Sequence, residues 1–268
     1  TVSRVTGMFA IAVWDKELEQ LTLIRDRIGE KPLYYGWQGS GSNKVFLFGS
    51  ELKALKKHPQ FINEIDRGSL ALYMRYCYVP APHSIYKGIM KVEPGTIVTV
   101  SLKESKHTTE KYWNALDVIR TGAESPFEGT VDEVTNNLDI ALRKAISQQM
   151  VADVPLGAFL SGGIDSSTVV ALMQAQSSQP IKTFTIGFSE AGYNEAEFAK
   201  LVASHLGTEH TELYVSSQDA LNVIPKLPNL YCEPFADASQ IPTFLVSSLA
   251  RHHVTVSLSG DGGDELFC

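Results

Sequence analysis

The stretch "GAFLSGGIDSSTVVALMQ" (residues 157–174) decides the fold of the second half of the chain. A short apolar run leads into Ser-Gly-Gly-Ile-Asp-Ser-Ser, and the pattern then becomes helical. This order predicts a buried strand, a loop and a helix. A tight turn is one interpretation of the loop. The other is an anion cradle, because glycines allow the backbone to come close and the start of a helix offers free N–H groups.

Further strands and helices alternate on either side of this stretch. A helix is predicted ahead of it, opened by the capping box Thr130-x-x-Glu133. Downstream, Asn194 is the predicted N-cap of a helix that stops at Gly207. Strands are predicted at residues 181–188, 210–215 and 254–258, with a helix at residues 239–252. Strands that alternate with helices of about a dozen residues predict a doubly wound parallel sheet.

The first third of the chain is rich in short strands. The candidates are "GMFAIAVW" (residues 7–14), which reads as buried, "LTLIRD" (21–26), "KVFLFGS" (44–50) and "TIVTVSL" (96–102). Polar turns that contain glycine separate these strands, which favours an antiparallel sheet. Residues 101–129 are polar and carry Gly122, Pro126 and Gly129, so we predict a linker there. The predicted domains of this α/β chain are therefore residues 1–100 and 130–268.

The composition is that of a globular protein with a substantial core. The chain has 268 residues, 44% hydrophobic and 20% charged, and a formal net charge of −7, which argues against an extended nucleic-acid footprint. No apolar run approaches the roughly 20 residues that span a membrane. The cysteines are Cys77, Cys232 and Cys268, odd in number and without a Cys-x-x-Cys pair, so neither a disulfide scaffold nor a zinc site is expected. A cytoplasmic location is the expectation.

A second glycine loop, "SGDGGDE" (residues 259–265), follows the strand predicted at 254–258. Ligands of parallel sheets bind at the carboxyl ends of the strands, so both loops are expected at one edge of the sheet. Neither loop contains Gly-Lys-[Ser/Thr] or Gly-x-Gly-x-x-Gly, so Walker A and dinucleotide fingerprints are absent. Asp165, Asp264 and Glu265 would repel phosphate by themselves. A Mg²⁺ ion between carboxylates and phosphate oxygens resolves that conflict.

These motifs resemble a known family. Residues 161–167 are similar to the pyrophosphate loop of the ATP-pyrophosphatase superfamily, and with "SGDGGDELF" (259–267) they resemble the synthetase domain of glutamine-dependent asparagine synthetases. The segments "GMFAIAVWD", "RDRIGEKPLYYG" and "FGSELKAL" are similar to later strands of that family's glutaminase domain, and "YVPAPHSIYKGIMKVEPG" (78–95) resembles the crossing into the synthetase half. The resemblance implies part of an N-terminal-nucleophile antiparallel sheet followed by an ATP-pyrophosphatase domain.

The resemblance also implies roles for individual residues. The family forms β-aspartyl-AMP from aspartate and ATP, releases pyrophosphate, and lets ammonia displace AMP. Asp165 and Asp264 would hold Mg²⁺. Asp261, which stands where many members carry glutamate, would accept a proton from ammonia or orient it; a contact to a metal ligand is the alternative. The residues expected to bind ATP are Leu160, Ser161, Gly162, Gly163, Asp165, Ser166, Ser167, Ile186, Ser259 and Gly260.

The implied partners are small molecules: aspartate, ATP, and glutamine or ammonia. The family's cysteine nucleophile and glutamine-binding residues lie upstream of the strands present here, so residues 1–268 alone are expected to lack glutaminase activity, and Thr1 is not expected to replace the nucleophile. Residues 233–243 are a candidate aspartate site, although Asp237 and Ser239 read more readily as a turn and a helix cap. The resemblance allows a homodimer of the full-length protein. Alternatives are amidation of another carboxylate, such as a sugar or a β-lactam precursor, and a non-catalytic nucleotide-binding regulator.

Overall fold

The computed structural model describes residues 2–188 and 195–267. The chain forms two compact units: unit 1 comprises Thr1–Phe127 and Leu227–Asp237, and unit 2 comprises Glu128–Lys226 and Ala238–Cys268. The chain therefore leaves unit 2 for a short segment and then returns to it. The predicted cap Asn194, like Thr1 and Cys268, lies outside the described residues.

The described part of the chain contains strands and helices in the following order. The strands are β1 Ala10–Asp15, β2 Gln20–Arg25, β3 Tyr34–Gln38, β4 Val45–Gly49, β5 Met90–Lys91, β6 Thr96–Ser101, β7 Lys106–Lys111, β8 Leu156–Phe159, β9 Lys182–Phe188, β10 Glu209–Val215 and β11 Val256–Leu258. The helices are α1 Leu52–Leu55, α2 Arg67–Tyr76, α3 Ala115–Glu124, α4 Val131–Gln149, α5 Ile164–Ala175, α6 Ala196–Leu206, α7 Ser217–Val223, α8 Leu227–Leu230, α9 Gln240–Ala250 and α10 Gly263–Phe267.

Unit 1 is built from two antiparallel sheets, in the orders β1-β2-β6-β7 and β4-β3-β5. Their shared core contains Leu23 from β2, Val98 and Val100 from β6, and Tyr35 from β3, all nearly or fully buried. Alternation of apolar residues along β2 and β6 places these side chains on one face of their sheet. The strands predicted at residues 21–26, 44–50 and 96–102 and their antiparallel arrangement are confirmed.

Two features of unit 1 differ from the sequence-based expectation. The strand predicted as buried at residues 7–14 is the edge strand β1, and half of Val13 and 43% of Trp14 are exposed. The predicted linker contains the strand β7, which pairs with β6 along its whole length, and the helix α3. The side chains of β7 are all exposed, so this edge strand carries no apolar alternation that would reveal it.

Unit 2 contains the predicted parallel sheet, in the order β10-β9-β8-β11. Its main core includes Leu160 after β8, Val170 and Met173 from α5, and Ala199 from α6. The predicted capping box of α4 is present: Glu133 N–H donates to Thr130 Oγ1 at 3.3 Å and Thr130 N–H donates to Glu133 Oε2 at 2.8 Å. Among the described residues, no helix is both long and apolar enough to cross a membrane.

Candidate active site

The candidate site lies at the carboxyl ends of two adjacent parallel strands of unit 2. β8 pairs with β11 in the register Ala158↔Leu258, so the two segments that follow these strands leave the sheet side by side. The loop that begins at Ser161 follows β8 and leads into α5, and the loop that begins at Ser259 follows β11. This is the edge at which parallel sheets bind ligands.

Hydrogen bonds of Ser161 and Ser166 stabilise the conformation of the first loop. Ser161 Oγ and Ser166 Oγ lie 2.9 Å apart, and the N–H of Ser161 donates to Ser166 Oγ at 3.2 Å. The N–H of Gly163, the residue before α5, donates to Ser161 Oγ at 3.3 Å. Because Gly163 has no side chain, no side-chain cap occupies the backbone N–H groups at the start of α5, and the positive dipole end of a helix favours an anion.

Glycines bring the second loop against the first turn of α5. A methyl group at Gly260 would lie 2.6 Å from the backbone nitrogen of Ser166, and one at Gly263 would lie 2.5 Å from Asp165 Oδ2. The atoms near Gly260 belong to the backbone of α5 and cannot rotate away, so this position requires glycine, whereas the atoms near Gly263 belong to the Asp165 side chain. The loops predicted from sequence to share one edge therefore touch directly.

The first loop also contacts α6, which the sequence did not indicate. Gly162 has a φ of 83°, in the left-handed region that favours glycine. A methyl group there would lie 2.7 Å from Ala199 N and 2.7 Å from Phe198 Cβ, at the start of α6. Gly162 thus serves two needs, a left-handed turn and a close approach between loop and helix.

Ser167 provides an observation that fits a bound anion. Its hydroxyl is buried in the first turn of α5 and has no hydrogen-bond partner within the described chain. A buried hydroxyl without a partner costs about 1–3 kcal/mol, so a phosphate oxygen at this position would satisfy it. Ser166 is buried, and its hydroxyl is already engaged within the loop.

Asp165 and Asp264 are the candidate Mg²⁺ ligands of the site. The Asp165 carboxylate lies against Gly263, the residue before Asp264. Over residues 2–188 and 195–267, no three His, Cys, Asp or Glu side chains are grouped to hold a metal ion. Asp165 and Asp264 would therefore need phosphate oxygens and water to complete a Mg²⁺ shell, which is the usual arrangement at phosphate sites.

Asp261, the predicted proton acceptor, is exposed in the second loop. Its Oδ2 accepts a hydrogen bond from the Ser259 hydroxyl at 2.9 Å. Leu160 is only 1% exposed and its side chain belongs to the core of unit 2, whereas Ile186 on β9 is half-buried. Leu160 can therefore meet a nucleotide mainly through its backbone.

The candidate aspartate segment is divided between the two units. Glu233 and Asp237 belong to unit 1, and Ser239 belongs to unit 2. Ser239 is the residue before α9, but its side chain does not make the predicted capping hydrogen bond. The prediction that Ser239 caps the helix is therefore wrong, because the capping hydrogen bond is absent. The predicted helix itself is confirmed.

Two family models match this chain. Residues 137–268 match the model described as asparagine synthase, and residues 1–113 match the glutamine amidotransferase domain. The chain belongs to the asparagine synthase family. It is 37% identical over 269 residues to "Putative asparagine synthetase [glutamine-hydrolyzing] 2" of Methanocaldococcus jannaschii, covering 99% of this chain and 50% of that protein. It is 36% identical to "Asparagine synthetase [glutamine-hydrolyzing] 1" of Bacillus subtilis over 266 residues, 99% of this chain and 40% of that protein.

This member of the family spans half or less of the length of those relatives. Similar solved structures include an NH3-dependent NAD synthetase from Campylobacter jejuni, 14% identical, with a TM-score of 0.34 over 52% of this chain and 59% of the other. A glutamine-dependent NAD+ synthetase from Acinetobacter baumannii is 19% identical, with a TM-score of 0.36 over 68% of this chain and 32% of the other. The family assignment rests on the family models and the sequence relatives.

Proposed function

We propose that the full-length protein is an ATP-dependent ligase that converts aspartate into asparagine with ammonia from glutamine. A carboxylate oxygen of aspartate would attack the α-phosphorus of ATP, so that β-aspartyl-AMP forms and pyrophosphate leaves. Ammonia would then attack the activated carbonyl carbon, form the amide bond, lose a proton and release AMP. The substrates are small molecules, and the proposal includes a cytoplasmic location and a homodimer.

The observation that carries this proposal is the contact between the two glycine loops at the first turn of α5. Gly260 and Gly263 pack against Ser166 and Asp165, next to the unpartnered Ser167 hydroxyl. This arrangement supports a nucleotide bound across both loops, with its phosphates at the start of α5. Pyrophosphate would be bound by Ser161, Gly162, Gly163, Ser166 and Ser167, and adenosine would be contacted by Leu160, Ile186, Ser259 and Gly260.

The acidic side chains would act at the two ends of the reaction. Asp165 and Asp264 would hold Mg²⁺, which neutralises charge on the phosphate oxygens. Asp261 would accept the proton that ammonia loses as the amide forms. Its carboxylate is oriented by the Ser259 hydroxyl and is open to solvent, so a small base or nucleophile can reach it.

The test is a substrate screen on the full-length protein. ATP, Mg²⁺ and ammonia are supplied with aspartate or with other carboxylates, and AMP, ADP and pyrophosphate are measured separately. We expect AMP and pyrophosphate in equal amounts only when aspartate is present, and asparagine as the product. Glutamine should replace ammonia, with one glutamate released for each asparagine formed.

Each alternative predicts a different result in the same screen. ADP as the product would refute cleavage between the α- and β-phosphates. AMP formation with another carboxylate but not with aspartate would assign the protein to a related amidotransferase. ATP binding without turnover on any carboxylate would identify a nucleotide-binding regulator instead of a ligase.

A further inference from the structure

Unit 1 contains a cavity of about 420 Å³, and none of the residues assigned to the reaction above lines it. This volume falls in the range of about 300–1,000 Å³ that is typical of small-molecule sites. The cavity lies beside β3, the start of α2 and the loop that leads into β5, and its whole lining belongs to unit 1. We call it the unit 1 cavity.

Hydrogen bonds fix the loop that leads into β5, which forms one wall of the unit 1 cavity. The N–H of Asp66 donates to the carbonyl oxygen of Ile85 at 2.9 Å, and the N–H of Lys87 donates to that of Glu64 at 2.9 Å. Gln38 on β3 is 1% exposed, and its Nε2 donates to the carbonyl oxygen of Lys87 at 3.0 Å. The wall is therefore preformed, so a ligand would not have to order it on binding.

Aromatic rings form much of the lining. Tyr35 and Trp37 stand two positions apart on β3 and so lie on one face of its sheet, and Tyr86 comes from the loop. The faces of such rings carry partial negative charge and attract cations within about 6 Å. Lys44 Nζ lies 4.9 Å from the centroid of Trp37 and Lys56 Nζ lies 5.0 Å from that of Tyr86, although neither lysine lines the cavity. Both rings therefore already attract ammonium groups.

Asp66 gives the cavity a negative charge. Within the described chain it is the only carboxylate in the lining, which contains no lysine or arginine. Its Oδ1 accepts a hydrogen bond from Ser69 N–H at 2.8 Å, which lowers the pKa of Asp66 and keeps the carboxylate ionised at neutral pH. The Lys87 ammonium, which also lowers this pKa, is paired with Glu64.

Rings and a carboxylate together select one class of ligand. An anion would be repelled both by Asp66 and by the ring faces. A neutral apolar ligand would remove water from the carboxylate without giving it a partner, which costs free energy. A cation with an apolar body gains from both features of the lining.

We propose that the unit 1 cavity binds a small organic cation, an amine or a quaternary ammonium compound, whose charge is attracted by Asp66 and by the rings of Trp37 and Tyr86. The site lies wholly within unit 1, and this proposal is independent of the ligase function proposed above. Its test therefore needs no turnover of ATP.

The test measures binding of choline to the full-length protein by proton NMR. The reference ligand is 3,3-dimethyl-1-butanol, which has the same shape but carries a neutral tert-butyl group in place of the trimethylammonium group. We expect the rings to shift the trimethylammonium protons upfield as choline is bound. Choline should bind about 10-fold more tightly than the neutral compound, because only choline gains from the ring faces and the carboxylate.

Two variants localise the site. Asp66→Asn keeps a side chain that caps α2 equally well but removes the charge, so the Kd for choline should rise about 10-fold and the Kd for the neutral compound should not rise. Trp37→Leu keeps an apolar side chain but removes a ring, so the upfield shift at saturation should shrink. Asp117→Asn is the matched control, because Asp117 is an exposed carboxylate on α3 outside the lining, and it should keep the wild-type Kd.

Three outcomes would overturn the proposal. Equal affinity for choline and the neutral compound would refute the class of ligand. An unchanged Kd for choline in Asp66→Asn, with circular dichroism showing the variant folded, would refute this cavity as the site, and this variant decides the matter if Trp37→Leu fails to fold. No shift of the choline protons with wild-type protein would refute the proposal outright.

Discussion

Gly260→Ala tests the contact between the two loops with a single added methyl group. The new Cβ would lie 2.6 Å from Ser166 N and 2.9 Å from the carbonyl carbon of Asp165. Both are backbone atoms of α5, so neither can rotate away. Ordinary contact requires about 3.5 Å, so the loop or the helix must move by about 1 Å. Overpacking of this kind costs about 1–3 kcal/mol of stability.

The kinetic effect should be comparable, in free energy, to the loss of stability. A displacement of about 1 Å between groups that bind one nucleotide lowers the rate by about 10²-fold. Pyrophosphate release by the full-length variant measures the rate, and urea unfolding measures the free energy of unfolding. Gly122→Ala on α3 is the matched control, because nothing lies within 4 Å of its added methyl group. That control should keep full activity and be neutral or more stable by about 1 kcal/mol.

One result would refute this reasoning about the site. If Gly260→Ala releases pyrophosphate at the wild-type rate and unfolds at the wild-type urea concentration, the two loops do not pack as described. A loss of stability with unchanged kcat and KM would show that the contact is structural only, and would separate it from nucleotide binding.

Two further predictions concern charge. Asp165→Asn keeps the shape of the side chain but removes a charge proposed to balance Mg²⁺, so adenylate formation should fall by at least about 10²-fold with an unchanged circular dichroism spectrum; full activity would remove Asp165 from the metal site. Burial lowers the pKa of His210, whose Nδ1 lies 2.9 Å from Thr183 Oγ1 and whose Nε2 is buried without a partner in the described chain. The His210 imidazole is therefore protonated at a higher pH in the unfolded chain than in the folded protein. As a result, the free energy of unfolding should decrease as the pH falls below about 6.5. Urea unfolding at several pH values should show a smaller decline in His210→Asn, and equal declines would contradict the assignment.

The sequence by itself determined the features that depend on neighbouring residues. The order strand, Ser-Gly-Gly loop and helix at residues 157–174 is local, and so is the capping box of α4; the structure contains both. The parallel sheet also followed from local alternation, because strands separated by helices of similar length have few other ways to pack. The resemblance to asparagine synthetases rested on the same short motifs and is confirmed by the family models.

The tertiary structure decided which of those residues touch. Nothing local indicates that Gly162 needs space for α6, or that Gly263 rather than its neighbour Gly262 lies against Asp165. The polar edge strand β7 was invisible because exposed side chains on both faces erase the period that reveals a strand. Glu233 was read with the residues around it as a substrate site, yet its hydrogen-bond partners lie 148 and 199 positions away in sequence. Contacts of that range depend on how sheets and loops close in space, which no short window of sequence contains.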